Sequence, residues 1–166
     1  MAATEQDLAR VRRCIARAEA AAAAGDHPFA AMLVLEDEVL LEARNTVVSS
    51  DDPTAHGEMT LLRRAFATLP SEKIAASTLY SSMEPCAMCA GAIYWAGIGR
   101  VVFGCSAERL AQLAGKRLTM SCRAVFATGT RAMVVEGPLL EAEAEKIHAG
   151  FWKPGQVKGP GIYGTM

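Results

Sequence analysis

Apolar side chains recur along this chain at two periods, and the two together predict helices alternating with short strands. Over residues 6–24, Leu8, Val11, Ile15 and Ala18 share one helical face, and an alanine run from Ala20 to Ala24 closes the segment before Gly25. Two apolar runs follow, residues 29–35 and 39–43, separated by Glu36-Asp37-Glu38, which reads as a hairpin. Met59, Leu62, Phe66 and Leu69 then stand at i, i+3, i+7 and i+10, an apolar stripe on a second helix that Asp52 or Thr54 is placed to cap. Residues 77–82 predict a short strand leading into a helix through Ile93 and Trp95 to Gly97, and residues 100–104, rich in valine and phenylalanine, predict a buried strand. Between residues 105 and 130 the pattern weakens to a short helix around Leu110 and Leu113 and a loop at Gly115-Lys116-Arg117. Ala132 to Val135 reads as a last strand. Pro138 opens a last helix with Leu140, Ala144, Ile147 and Phe151 on one side, its acidic start suited to the helix dipole.

These elements predict an α/β fold, a three-layer α/β/α sandwich whose central sheet is mixed because it begins with a hairpin, with about five strands. With 166 residues, 51% of them hydrophobic, the chain is long enough for one cored domain and too short for two. Residues 1–152 are expected to form that domain and residues 153–166, rich in glycine and proline, an extended tail.

Charge narrows the partners. Lys and Arg total 17 against 18 Asp and Glu, so no net field draws the chain to a polyanion, and a small neutral heterocycle suits it better than nucleic acid. Arg10, Arg13 and Arg17 share one face of the first helix and read as a solvated stripe. No stretch approaches a membrane span, and the charged residues 5–13 do not resemble a secretory signal. Five cysteines, an odd number, suit a reducing cytoplasm, with Cys14, Cys105 and Cys122 read as small core residues.

The remaining two cysteines carry the chemistry. His56-Gly57-Glu58 is followed by Pro85-Cys86-Ala87-Met88-Cys89, which supplies three metal ligands (His56, Cys86, Cys89) and one nearby carboxylate not needed as a ligand. Three protein ligands leave the fourth tetrahedral position of a zinc ion to water, as in a hydrolytic centre. Pro85 marks a helix start, so the N–H groups of that helix would stabilise both thiolates. Zinc lowers the pKa of its water from about 15.7 to about 7, and Glu58 can carry the protons that hydrolysis of a C–N bond requires. The alternative is a closed zinc knuckle completed by Cys14, Cys105, Cys122, His27 or His148. A redox pair of Cys86 and Cys89 would leave His56 and Glu58 without a role.

The pairing of H-x-E with P-C-x-x-C resembles the cytidine-deaminase-like superfamily, and within it the bacterial guanine deaminases and the tRNA adenosine deaminases. The likeness runs from His27-Pro28-Phe29 through Asn45, residues 52–58 and 84–89 to Val101-Val102-Phe103-Gly104, a little under half the chain. Gly91 to Ala96 looks like the guanine enzymes and Gly99 to Gly104 like the tRNA enzymes, while Gly57 resembles the small fungal cytosine deaminases. The resemblance implies Zn2+ on His56, Cys86 and Cys89, Glu58 as proton shuttle, Asn45 hydrogen-bonding the base, backbone contacts from Ala55 and Glu84, and an aromatic contact from Phe29. Trp95 is the second aromatic candidate, and core packing is the default for both rings. Guanine deaminases of this type bring carboxylates to the base from the segment after the fourth strand and from the C-terminus, and in the first of these regions this chain has Arg109, Lys116 and Arg117. The implied activity is hydrolytic deamination of a free base, guanine first. The alternatives are a tRNA adenosine deaminase, a cytosine or nucleoside deaminase, and a non-catalytic zinc module. Relatives commonly form dimers, so a homodimer is expected, with the tail covering its own or a neighbour's pocket.

Overall fold

A computed structural model describes residues 3–115, 118–153 and 157–160. The chain order is α1 (Glu5–Ala23), β1 (Ala30–Leu35), β2 (Glu38–Arg44), α2 (Gly57–Thr68), α3 (Ser71–Ala76), β3 (Thr78–Met83), α4 (Ala87–Trp95), β4 (Arg100–Cys105), α5 (Ala107–Ala114), α6 (Cys122–Ala127), β5 (Val134–Glu136) and α7 (Glu141–Ala144), continued by a 3-10 turn, Glu145–Ile147. The five strands lie in the order β2-β1-β3-β4-β5. β1 runs antiparallel to both β2 and β3, whereas β3, β4 and β5 are parallel, so the sheet is mixed as its opening hairpin predicts.

Side chains that alternate along the strands feed two cores. Ala31, Leu33, Leu79, Val101 and Phe103 pack against Leu61, Leu62 and Ala65 of α2, Ile74 of α3, Ala90 and Ile93 of α4 and Phe126 of α6. Their alternates Met32, Val34, Tyr80 and Val102 pack against Val11, Cys14 and Ile15 of α1 and Ala144 of α7. This is the expected α/β/α sandwich, and each fully buried Leu, Ile or Val contributes about 1.5–3 kcal/mol.

α1 begins with a reciprocal capping box between Thr4 and Asp7 and ends before Gly25, whose positive φ of 88° completes the turn. Its basic stripe is not merely solvated. Arg13 and Arg17 converge on Glu42 of β2, and Arg10 reaches Asp37 and the Tyr80 hydroxyl, clamping the helix across the hairpin.

Several expectations are corrected. α2 buries Glu58, Leu61, Leu62 and Ala65, and leaves Phe66 exposed, because the face turned to the sheet is one residue round from the stripe of largest side chains. Its N-cap is His56 itself, since Asp52 spends its carboxylate on the Thr54 amide and hydroxyl and on Arg63. α3 and α6, six residues each, are too short to carry a periodic signal in the sequence. The last helix does not run to Phe151. Leu140 takes a left-handed conformation (φ 56°), α7 starts only at Glu141, and the chain tightens into the 3-10 turn. The loop positions Lys116 and Arg117 and most of the tail lie outside the described residues. Within the tail, the Lys158 carbonyl meets His27 Nε2 at 2.7 Å.

Candidate active site

The strand register gathers the site at one end of the sheet. β3 ends there and runs into Glu84-Pro85-Cys86; antiparallel β1 starts there, after Phe29; and β2 ends there, before Asn45, since Ala30 pairs with Arg44 and Ala31 with Ser81. Carboxyl ends of parallel strands are where α/β sheets commonly bind ligands. α2 also begins at this end. Its first residue, Gly57, lies so close to β1 that an added Cβ would sit 3.1 Å from the Ala30 Cα, so a small residue lets the helix start approach the strand.

His56 and Cys86 are the N-caps of α2 and α4, and neither side chain caps its own helix, which leaves both free to turn to a common centre. His56 Nδ1 lies 3.6 Å from Cys86 Sγ and 3.6 Å from Cys89 Sγ, and all three ligand atoms fall within 4.8 Å of one another. With Zn–S bonds of about 2.3 Å and Zn–N of about 2.0–2.1 Å, tetrahedral zinc needs N···S separations of about 3.6 Å. The residues therefore fit zinc, and no fourth His, Cys, Asp or Glu joins the cluster among the described residues. The candidates for closing a knuckle are elsewhere: Cys14 and Cys105 belong to the core under α1, Cys122 to the core under α2 and α4, and His27 and His148 to an aromatic cluster with Phe29, Phe151 and Trp152.

The thiols are unequal. The Cys89 hydrogen bond, opposed by burial and helped by His56, pushes Cys86 down to about 4. Cys89 is pushed well up by the Cys86 sulfur it bonds and by burial. Burial acts to lower His56, but the Cys86 thiolate outweighs it and the net shift is upward.

Glu58, on the first turn of α2, is buried beside the cluster and is not a member of it. Its Oε1 accepts a hydrogen bond from Ser81 Oγ at 2.8 Å, and its Oε2 lies 3.5 Å from Cys89 Sγ. Burial pushes its carboxyl upward, with His56 opposing and Cys86 reinforcing.

Asn45 is fully buried. Its Oδ1 accepts from the Val47 amide at 3.0 Å, an Asx turn, while Nδ2 has no partner among the described residues. The turn reading and the ligand reading are thus compatible, because the turn fixes the amide with its donor unspent. Asp26 holds the same loop through the Val48 and Ser49 amides.

Ala55 is buried, its N–H donating to Asp52 O and its carbonyl accepting from Thr46 N. The Glu84 N–H donates to Cys105 O, and its carboxylate accepts from the Ala107 and Cys122 amides at 3.0 Å each. Any backbone contact from these two to a ligand is therefore limited to carbonyl acceptance. Phe29 packs on the C-terminal segment, 5.3 Å from the His148 ring and 5.8 Å from Trp152. Trp95 is neither core nor beside the ligands. It is 85% exposed at the far end of α4, nine residues or about 13 Å along the helix from Cys86. The residues missed in the sequence are Ser81, the Glu84 carboxylate and Trp152; a serine in a buried strand position next to a buried carboxylate gives no periodic signal.

A buried carboxylate set against a three-ligand cluster at the carboxyl ends of the parallel strands defines a hydrolytic zinc-site architecture. Residues 4–105 match the cytidine and deoxycytidylate deaminase zinc-binding region, and the chain belongs to this family of zinc-binding deaminases. It is 35% identical over 158 residues to a probable cytosine deaminase of Schizosaccharomyces pombe, covering 92% of this chain and 96% of that one. A tRNA-specific adenosine deaminase of Buchnera aphidicola is 38% identical over 129 residues, 78% of this chain and 82% of the other. The solved guanine deaminase of Nitrosomonas europaea superimposes with a TM-score of 0.71 at 25% identity, covering 90% of this chain and 87% of that one.

Proposed function

We propose that this chain is a hydrolytic deaminase that releases the exocyclic amine of a free nucleobase or related amino-heterocycle as ammonia, with guanine the first substrate and cytosine the second. The observation that carries the reading is the buried Glu58 carboxylate beside, and outside, the cluster of His56, Cys86 and Cys89. Zinc held by those three residues supplies a Lewis acid that lowers the pKa of a water to about 7. Glu58 accepts the proton of the attacking water and passes it to the ring nitrogen next to the amino-bearing carbon. The same carboxylate then takes the remaining proton from the hydroxyl now on that carbon and delivers it to the amine, so that the C–N bond breaks, ammonia leaves and the carbon becomes a carbonyl. Asn45 Nδ2 donates to an acceptor on the base edge, and the carbonyls of Ala55 and Glu84 are available to the departing N–H groups.

Free base is favoured over tRNA by charge. The arginines of α1 are tied to Asp37, Glu143 and Glu42, and Arg63, Arg100 and Arg109 are ion-paired as well, so they offer phosphates little unpaired field. Cytosine is kept as the second reading on two grounds. The fungal relative aligns over nearly the whole chain. In addition, Glu141, Glu143 and Glu145 are spent on Ser106, Arg12 and Arg109, which leaves them poorly placed to accept from the N–H groups of guanine.

We also propose a cytoplasmic homodimer. α4 carries no charged side chain, and its outer face of Met88, Gly91, Ala92 and Trp95 is partly or fully exposed, apolar surface that a second copy would cover. Among the described residues no helix is long and apolar enough to cross a membrane.

The test is ammonia release from guanine, cytosine, adenine, their nucleosides and aminotriazines, with a tRNA gel shift at low and high salt. Turnover of a free base, abolished in a Glu58→Gln variant that still holds zinc, is expected. Full ammonia release by Glu58→Gln, or salt-sensitive tRNA binding with no turnover of any free base, would contradict the reading.

A further inference from the structure

Glu58 has two oxygens in different surroundings, and a single hydroxyl accounts for the difference. Oε1 is held at 2.8 Å by Ser81 Oγ, and Oε2 faces Cys89 Sγ at 3.5 Å. Ser81 is fully buried near the end of β3, in register with Ala31 of β1 and Phe103 of β4, so its Cα is fixed by strands on both sides. Its Oγ also lies 3.4 Å from the Met83 amide and 3.4 Å from the Ala30 carbonyl, which orients the hydroxyl within the sheet. Among the described residues, no lysine or arginine forms an ion pair with Glu58. The last torsion of a glutamate is broad, so a carboxylate without such an anchor swings between orientations. Proton transfer tolerates little of this, since a displacement of about 1 Å can cost about a hundredfold in rate.

We propose that Ser81 is a positioning residue for the reaction, its hydroxyl tying Glu58 Oε1 to the sheet so that Oε2 is the oxygen that takes and returns the proton. This rests on the reading of Glu58 as proton carrier, but the geometry it predicts can be measured apart from turnover. Ser81→Ala removes the hydroxyl without adding bulk, and Ser81→Thr restores it on a side chain at home in a strand.

The experiment compares zinc-loaded wild type, Ser81→Ala, Ser81→Thr and Glu58→Gln for zinc content, kcat, KM and the Glu58 conformation in crystals. Ser81→Ala is expected to keep one zinc per chain and a KM within about twofold while kcat falls about tenfold or more, the signature of an interaction used in the transition state. Ser81→Thr should recover most of the loss. Glu58 should occupy one conformer in the wild type and in Ser81→Thr, and a rotated or split one in Ser81→Ala. The proposal is overturned if Ser81→Ala retains wild-type kcat, if only KM changes, if threonine does not rescue, or if Glu58 stays in place without the hydroxyl. A wild type that releases no ammonia from any base would overturn the functional reading instead, and the Glu58 conformers would still decide the role of Ser81.

Discussion

Replacing Glu84 by alanine should unfasten both ends of the segment between β4 and α6. The Glu84 carboxylate accepts from the first amides of two helices, Ala107 of α5 and Cys122 of α6, at 3.0 Å each, and the residue is 8% exposed, so solvent screens these bonds little. The first amides of a helix lack intrahelical acceptors, so both depend on this one side chain. A hydrogen bond to a charged acceptor contributes about 1.5–3 kcal/mol, and two such bonds set the truncation cost at about 3–5 kcal/mol after partial rehydration of the exposed amides. Glutamine keeps one acceptor and turns an NH2 toward the other amide, so Glu84→Gln should cost about 1–2 kcal/mol. Urea unfolding measures the loss as a shift of midpoint at constant slope. Hydrogen exchange at the Ala107 and Cys122 amides measures it locally, where about 3 kcal/mol corresponds to roughly hundredfold faster opening. An unmoved midpoint in Glu84→Ala, or either amide exchanging at the wild-type rate, would refute the staple.

Acid should unfold the chain through Asp7. Its carboxylate accepts from the Tyr80 hydroxyl, Arg100 and Thr4, and although burial opposes ionisation, Arg100 and the other donors hold it well below the usual carboxylate range. Because the folded pKa is depressed, this stabilisation is fully present above the unfolded value of about 3.9 and is lost as pH falls below it. Asp7→Asn should flatten stability against pH below about 4 and cost about 3 kcal/mol at neutrality, since among the described residues it leaves Arg100 only Glu136 as an ionic partner; an unchanged acid limb in urea titrations would contradict this. Zinc binding should release protons. Cys89 is a thiol held well up and His56 is held upward, and both must lose a proton to ligate, so affinity rises with pH. Calorimetry in two buffers of different ionisation enthalpy between about pH 6 and 8 checks it, and a pH-independent affinity would overturn it.

The sequence exposes most of what the site is made of and less of how it is held. His56, Cys86 and Cys89 are legible because ligand chemistry restricts both residue type and spacing, and the start of α4 follows from Pro85, whereas the caps read at Asp52 and Thr54 do not start α2, whose N-cap is His56. Strands β1, β2 and β4 are legible because buried parallel and hairpin strands concentrate Val, Leu and Phe. Phe66 misleads because periodicity is read from the largest side chains, while α2 meets the sheet through Leu61, Ala65 and a polar residue, Glu58. α6 is invisible for another reason: six residues cannot display a helical period, and its start, capped locally by Ser121, is held to the fold by a carboxylate 38 positions away. The roles of Ser81 and Glu84 are likewise long-range. Neither residue differs in sequence from an ordinary strand or turn position, and only the register of β3 against β1 and β4 brings them to Glu58 and to the two helix ends. Trp95 inverts the usual rule for tryptophan, standing exposed on a helix without charge.

X-ray absorption at the zinc edge of the metal-loaded protein tests the account most directly. It predicts one zinc per chain with two sulfurs at about 2.3 Å, one imidazole nitrogen at about 2.0–2.1 Å and one exchangeable oxygen, with the oxygen retained in Glu58→Gln. A third sulfur, a second imidazole or a Glu58 carboxylate in the fourth position would contradict it.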